Sequence, residues 1–224
     1  MVKGKTKTAY FCQNCGAQYA KWQGQCSACK DWNTIVEEVV QKKATYGWSK
    51  NESHQKVKAL KVADISLIKE VRIKTHNTEL DRVLGGGIVP GAVLLLGGDP
   101  GIGKSTLMLQ LALNLKNYKT LYISGEESER QIKMRTERLG QGDSECFILT
   151  ETCTQNIFNH IKTVEPSLII IDSIQTLHTE VVDSSPGSVS QIRASAAELL
   201  KFAKETSTPV ILIGHITKDG GIAG

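Results

Sequence analysis

The segment that most constrains this 224-residue chain is Gly98-Asp99-Pro100-Gly101-Ile102-Gly103-Lys104-Ser105, set between an apolar run at 93–97 and a helical pattern at 104–117. It satisfies G-x-x-x-x-G-K-[ST] at every fixed position. Between a strand and a helix, such glycines let successive backbone N–H groups turn inward, and the helix adds the positive end of its dipole. That is a cradle for phosphates, and the expected ligand is ATP with Mg²⁺. Lys104 is expected to reach the β- and γ-phosphates, and the Ser105 hydroxyl to ligate Mg²⁺. Pro100 stiffens the loop and removes a donor the phosphates do not need. A glycine-rich turn matching by chance is the competing reading, and the flanking strand and helix count against it.

The loop sits inside a longer pattern. Apolar runs at 93–97, 120–124, 146–149, 168–171 and 210–214 read as strands, and amphipathic stretches at 104–117, 127–139, 154–164 and 188–206 as helices. Continuous apolar strands alternating with helices predict an α/β fold with a mostly parallel sheet covered on both faces. Ligands of such sheets gather at the C-terminal ends of strands, and three ends carry candidates. Asp172, after Leu168-Ile169-Ile170-Ile171, is the candidate second Mg²⁺ ligand, or else caps a turn. Glu126 and Glu127 follow 120–124 and are candidates for activating water, Glu126 preferred, if their strand neighbours the loop strand. The alternative is that both are first-turn acidic residues favoured by the helix dipole. His215, after 210–214, is either a sensor of the γ-phosphate or a solvated loop histidine.

Cys12-x-x-Cys15 and Cys26-x-x-Cys29 are separated by ten residues. Two such knuckles brought face to face make a tetrahedral thiolate cage, so the spacing predicts structural Zn²⁺ rather than disulfides or redox dithiols. Cysteine fills all four positions, leaving none open for catalysis. So small a module has little core, and the metal supplies much of its folding energy. Lys3, Lys5, Lys7, Lys21 and Lys30 lie near Tyr10, Phe11, Tyr19, Trp22 and Trp32. These residues either grip single-stranded nucleic acid, or the aromatics form the ribbon's small core. Cys146 and Cys153 lie apart from the cluster, and Cys146, heading a strand, reads as a small buried hydrophobe.

Charge divides the chain. Residues 1–60 carry ten Lys and four acidic residues, a net +6, whereas 61–224 carry a net −2. The basic N-terminal quarter fits a polyanion partner or a solvated tail. No apolar run approaches the ~18 residues of a membrane span. No apolar segment follows the N-terminal lysines, so a signal peptide is not expected and the chain reads as cytoplasmic. The organisation expected is a zinc ribbon at 8–36, a Lys-rich linker at 37–70 and an ATPase domain at 71–224. The sequence stops at Gly220-Gly221-Ile222-Ala223-Gly224, directly after a strand, which suggests part of a longer protein.

Together these motifs resemble one family, the bacterial RadA (Sms) DNA repair proteins. The matching stretches are Tyr10-Phe11-Cys12-Gln13-Asn14-Cys15-Gly16-Ala17, Trp22-x-Gly24-x-Cys26-x-x-Cys29-x-x-Trp32, Glu79-Leu80-Asp81-Arg82-Val83-Leu84-Gly85-Gly86-Gly87, the loop through Thr106, Tyr122-Ile123-Ser124-Gly125-Glu126-Glu127-Ser128 and Gly214-His215-Ile216-Thr217-Lys218. The resemblance implies a RecA-like ATPase that forms a hexameric ring around single-stranded DNA and drives branch migration, with a recombinase as a candidate partner. It implies ATP against Gly98, Asp99, Pro100, Gly101, Ile102, Gly103, Lys104, Ser105 and Thr106. It also makes Glu126 the water-activating residue and His215 the γ-phosphate sensor. A first DNA-facing loop would occupy 174–191, where Ser184-Ser185-Pro186-Gly187-Ser188 suits a mobile loop, and a second would begin at Lys218. Family members continue with a Lys-Asn-Arg-Phe-Gly motif and a domain resembling the Lon protease, neither of which is in this sequence.

The leading expectation is therefore a DNA-dependent ATPase of recombinational repair acting on single-stranded or branched DNA. The rival is a non-motor ATP switch whose ribbon docks a protein. A nucleotide kinase would leave the ribbon unexplained.

Overall fold

Alternation along the central strands divides the core between two faces of one sheet. The computed structural model describes residues 7–40, 48, 59, 61–64, 71–140 and 144–215. Strands β4 (Val93–Gly98), β5 (Thr120–Ser124), β6 (Cys146–Leu149), β7 (Leu168–Asp172) and β8 (Val210–His215) pair in parallel in the order β4-β8-β7-β5-β6. Every residue of β5 and β7 is buried. Such burial requires cover on both sides, as the continuous apolar runs predicted. Tyr122, Ile170, Ile211 and Ile213 pack on one face with Met108, Leu109 and Ile132 of helices α2 (Lys104–Asn114) and α3 (Glu129–Arg138). Leu121, Ile123, Ile169 and Ile171 pack on the other with residues of α4 (Thr154–Val164) and α5 (Val189–Thr206). The period-2 side-chain alternation of a strand makes this division.

The chain runs outward from β4 to β6 and then turns back through β7 to β8, so the cover changes face where the direction reverses. The predicted helix at 104–117 ends early, because the backbone leaves it at Leu115, which is fully buried in the core. Ser128 and Ser188, read as helical or at the helix edge, are N-caps accepting from the amides of Gln131 and Gln191. A short helix α1 (Thr78–Val83), capped by Asn77, was absent from the sequence reading.

At the N-terminus, β1 (Lys7–Cys12) pairs with β2 (Gln18–Tyr19) and with β3 (Ile35–Val40) in an antiparallel three-stranded sheet. Register runs from Lys7 opposite Val40 to Cys12 opposite Ile35. The expected linker at 37–70 therefore starts inside a strand: the β-branched residues of Ile35-Val36-Glu37-Glu38-Val39-Val40 favour pairing over a loop. Most of the rest of that linker, and the second DNA-loop candidate from Lys218, lie outside the described residues. Among the described residues no helix is long and apolar enough to cross a membrane.

Candidate active site and metal centre

The loop after β4 is built for an anion. Gly101 and Gly103 take φ of +79° and +95°, and a Cβ on either would meet nothing within 4 Å. Glycine is needed there for its backbone freedom, and the space above the loop is open. Gly103 is the N-cap of α2 and, unlike Ser128 of α3, has no side chain with which to cap its first amides. Lys104 is buried, and its Nζ donates to the carbonyls of Gly98 and Asp99, both at 2.8 Å. Open amides, left-handed glycines and a buried ammonium fit a polyphosphate. Ser105 and Thr106 are half-buried in the first turn of α2, Asp99 and Pro100 line the loop, and Ile102 is exposed.

Sheet register gathers the remaining candidates. Gly98 lies opposite His215, and Asp172 opposite Ser124. The strand of Glu126 does not neighbour β4: β8 and β7 stand between them, which corrects the condition set from sequence. Glu126 reaches the site nonetheless. Its Oε1 accepts from Ser173 Oγ at 2.7 Å and lies 3.3 Å from His215 Nε2, and His215 Nδ1 lies 3.4 Å from Lys104 Nζ. Lysine only donates and a carboxylate only accepts, so in these contacts His215 accepts at Nδ1 and donates from Nε2. Glu126 is 46% exposed, which leaves its carboxylate open to water.

Glu127 goes elsewhere. Ser124 Oγ accepts from the amides of Glu126 and Glu127 and turns the chain there, sending Glu127 to an ion pair with Arg135 of α3. Asp172 is buried and accepts from Tyr122 Oη at 2.5 Å. Burial, and then the adjacent Asp172 carboxylate, push the Tyr122 hydroxyl far above its usual range, so it remains a donor. Ser173, Tyr122 and Gln175, which donates to the His215 carbonyl at 3.3 Å, were not singled out from sequence. Ser173 directly follows Asp172 and was legible by position. Tyr122 reads as an ordinary core aromatic.

The segment 174–191 is more ordered than its composition suggested. Ile174–Thr176 is a 3-10 turn, and Val189 already begins α5. The buried Gln191 side chain accepts from the Thr179 amide at 2.8 Å and donates to the carbonyls of Val182 and Ser184 at 2.7 and 3.0 Å, stitching the loop to the helix.

Cys12, Cys15, Cys26 and Cys29 place their Sγ atoms within 4.8 Å of one another, with Cys12–Cys29 at 3.6 Å and Cys15–Cys26 at 3.5 Å. Metal–sulfur bonds of about 2.3 Å give a tetrahedron with edges of about 3.8 Å, so the cluster fits a structural metal ion. The Cys29 amide and the Tyr19 hydroxyl hold the Cys26 thiol down to about 6. Tyr10 and Tyr19 pack on this cluster. Trp22 and Trp32 do not: they are 59% and 68% exposed. Cys146 is half-buried at the edge of the main core, with its thiol pushed up to about 11 by burial, and Cys153 is the buried N-cap of α4.

This fold and loop define a parallel-sheet P-loop protein carrying a four-cysteine metal ribbon. The family described as "AAA domain" matches residues 57–221, and the chain belongs to that family. The family described as "Rubredoxin metal binding domain" matches residues 10–37. The chain is similar to proteins named DNA repair protein RadA. It is 46% identical to that of Haemophilus influenzae, covering 97% of this chain and 48% of the relative. Identity is 46% to the Bacillus subtilis protein (98% and 49% covered) and 47% to the Escherichia coli protein (97% and 49%). The family resemblance drawn from the motifs is thus borne out, and the chain spans about half the length of the curated relatives it matches.

Proposed function

We propose that the strand ends around Lys104 form an ATP-hydrolysing site, and that the protein is a DNA-repair ATPase using it to drive branch migration or translocation on single-stranded DNA, as a homo-hexamer. The observation that carries this reading is the hydrogen-bonded line Lys104–His215–Glu126–Ser173 beside the glycine loop. Residues 98–106 wrap the phosphates. Lys104 moves its ammonium from its own loop carbonyls to the β- and γ-phosphates. Ser105 and Asp172 are the residues that would hold Mg²⁺, which when bound neutralises charge developing between those phosphates. Glu126 orients the attacking water and accepts its proton, Ser173 aims that carboxylate, and His215 contacts the γ-phosphate. Glu127, engaged by Arg135, is left with a supporting role. The four thiolates hold a structural zinc ion. The DNA partner is supported by the names of the relatives and by the +6 charge of residues 1–60.

The test uses the full-length protein. Lys104→Ala loses both nucleotide binding and turnover. Glu126→Gln keeps nucleotide binding but loses about 100-fold or more in turnover, the scale of a lost general base. Turnover of Glu126→Gln within twofold of the parent overturns the assignment. Log affinity for single strands falling linearly with log salt supports the DNA reading; absence of binding with and without an ATP analogue favours the non-motor switch.

A further inference from the structure

The ribbon presents two large aromatic side chains that its own core does not use. Trp22 and Trp32 are the most exposed aromatics among the described residues. A Cβ on Gly24 would lie 3.7 Å from each indole, so both rings border that glycine. Trp22 Nε1 donates inward to the Ile35 carbonyl at 3.1 Å, which fixes the ring and spends its polar handle inside the ribbon. What it offers outward is π surface. Lys21 and Lys30 lie one and two residues before Trp22 and Trp32 in sequence and are exposed. The nearest carboxylate in sequence, Asp31, accepts from the Asn14 side chain.

We propose that Trp22 and Trp32 form a stacking platform for the bases of single-stranded nucleic acid, with Lys21 and Lys30 contacting its phosphates. An indole whose N–H is already bonded offers little hydrogen-bond readout but stacks on any base, and lysines beside it supply sequence-independent charge. The cleft between ribbon and ATPase domain is unsuited to a phosphate chain. Glu37 and Asp183 both line that cleft, which places two carboxylates on its walls. A second protein would cover the same indoles by burying them, without needing the flanking lysines. The proposal rests on the reading of this protein as a DNA-acting ATPase, and its test separates the two.

The experiment measures binding of a fluorescein-labelled oligo-dT to the zinc-loaded, full-length protein across salt concentrations. Zinc content is measured for every variant. Trp22→Ala and Trp32→Ala are each expected to weaken binding by about 5- to 100-fold while keeping zinc, and Trp22→Phe and Trp32→Phe to recover most of it because a π face remains. The alanine variants keep the parent's salt slope, whereas Lys21→Ala and Lys30→Ala each lower it by about one. DNA-free ATP turnover is unchanged in all of them. A parent that binds oligo-dT and alanine variants that bind it equally well with full zinc overturn the platform alone. A parent that binds no single strand overturns the DNA reading and the platform with it. Unchanged oligo-dT binding with an altered oligomeric state in the alanine variants assigns the indoles to a protein contact instead.

Discussion

At the residue scale, Asp172 shows how one buried hydroxyl holds the carboxylate proposed to meet Mg²⁺. It ends a fully buried strand, and Tyr122 on the neighbouring strand donates to its Oδ2. The Tyr122 hydroxyl stays protonated because burial and the carboxylate both disfavour its anion. Removing such an outer partner typically costs about 10- to 100-fold in metal affinity. Tyr122→Phe should therefore raise the Mg²⁺ concentration for half-maximal ATP turnover by about tenfold at unchanged nucleotide affinity. An unaltered Mg²⁺ titration would show that Asp172 needs no such support, or does not meet the metal. The sequence announced Asp172 because a charge directly after Leu168-Ile169-Ile170-Ile171 has few other uses. It could not announce Tyr122, since which side chains oppose each other depends on strand order and register. The same limit explains Glu126 and Glu127. Both follow the strand, and only the turn made by Ser124 sends one to His215 and the other to Arg135.

At the element scale, helix starts are where local chemistry shows most clearly, and α4 is a case in which a residue ahead of the helix orders its entry. Cys153 occupies its N-cap position without a side-chain cap bond. Glu151 instead orders the chain entering the helix, accepting from the amides of Thr152 and Cys153 at 2.7 and 2.9 Å and from the Asn156 side chain of the first turn at 2.9 Å. Burial alone would raise this carboxyl, but the Cys153 amide, the Asn156 side chain and the Thr152 amide outweigh it and hold it below its usual value. A folded-state pKa below the unfolded one means that stability is fully present above the unfolded value, near 4.5, and is lost as pH falls through the folded value. Glu151→Gln is therefore expected to cost about 1 kcal/mol in urea unfolding at pH 7, the scale of weakened hydrogen bonds to a charged group, and to match the parent once pH drops below the folded pKa. A pH-independent difference would assign the effect to packing rather than charge. Strands and helices of the sheet domain were legible from periodicity, with 146–149 and 154–164 matching at both ends. Helix α1 was not, because its six residues are too few to show a period and bury none fully.

At the scale of the whole molecule, an arginine hydrogen-bonds the sheet domain to the ribbon. Arg193 in α5 donates from Nη2 to the Cys15 carbonyl at 2.7 Å and from Nη1 to the Gly16 carbonyl at 2.8 Å. Gly16 takes φ +67°, and a Cβ there would press on Arg193 Nη1 at 2.5 Å and on Val189 Cγ1 at 2.6 Å, so the close approach requires glycine as much as the turn does. Two turns of α5 thus serve both sides: Arg193 reads the metal knuckle, and Gln191 stitches the 179–184 segment. Nothing in the cysteine spacing revealed this junction, which joins residues 177 and 178 positions apart in sequence. The knuckle carbonyls are fixed only while four thiolates are held together, so a chelator that strips the metal should remove the partners of Arg193. Hydrogen exchange is then expected to rise about tenfold or more in the first two turns of α5, the scale of a bond to a charged group lost there, and to stay unchanged in the buried strands β5 and β7. Arg193→Ala should give the same fast exchange with the zinc still bound and should abolish the further response to chelation. Equal exchange of α5 in metal-loaded and stripped protein would mean that the ribbon merely rests on the helix, and that metal in the ribbon leaves the segment beside the ATPase site untouched.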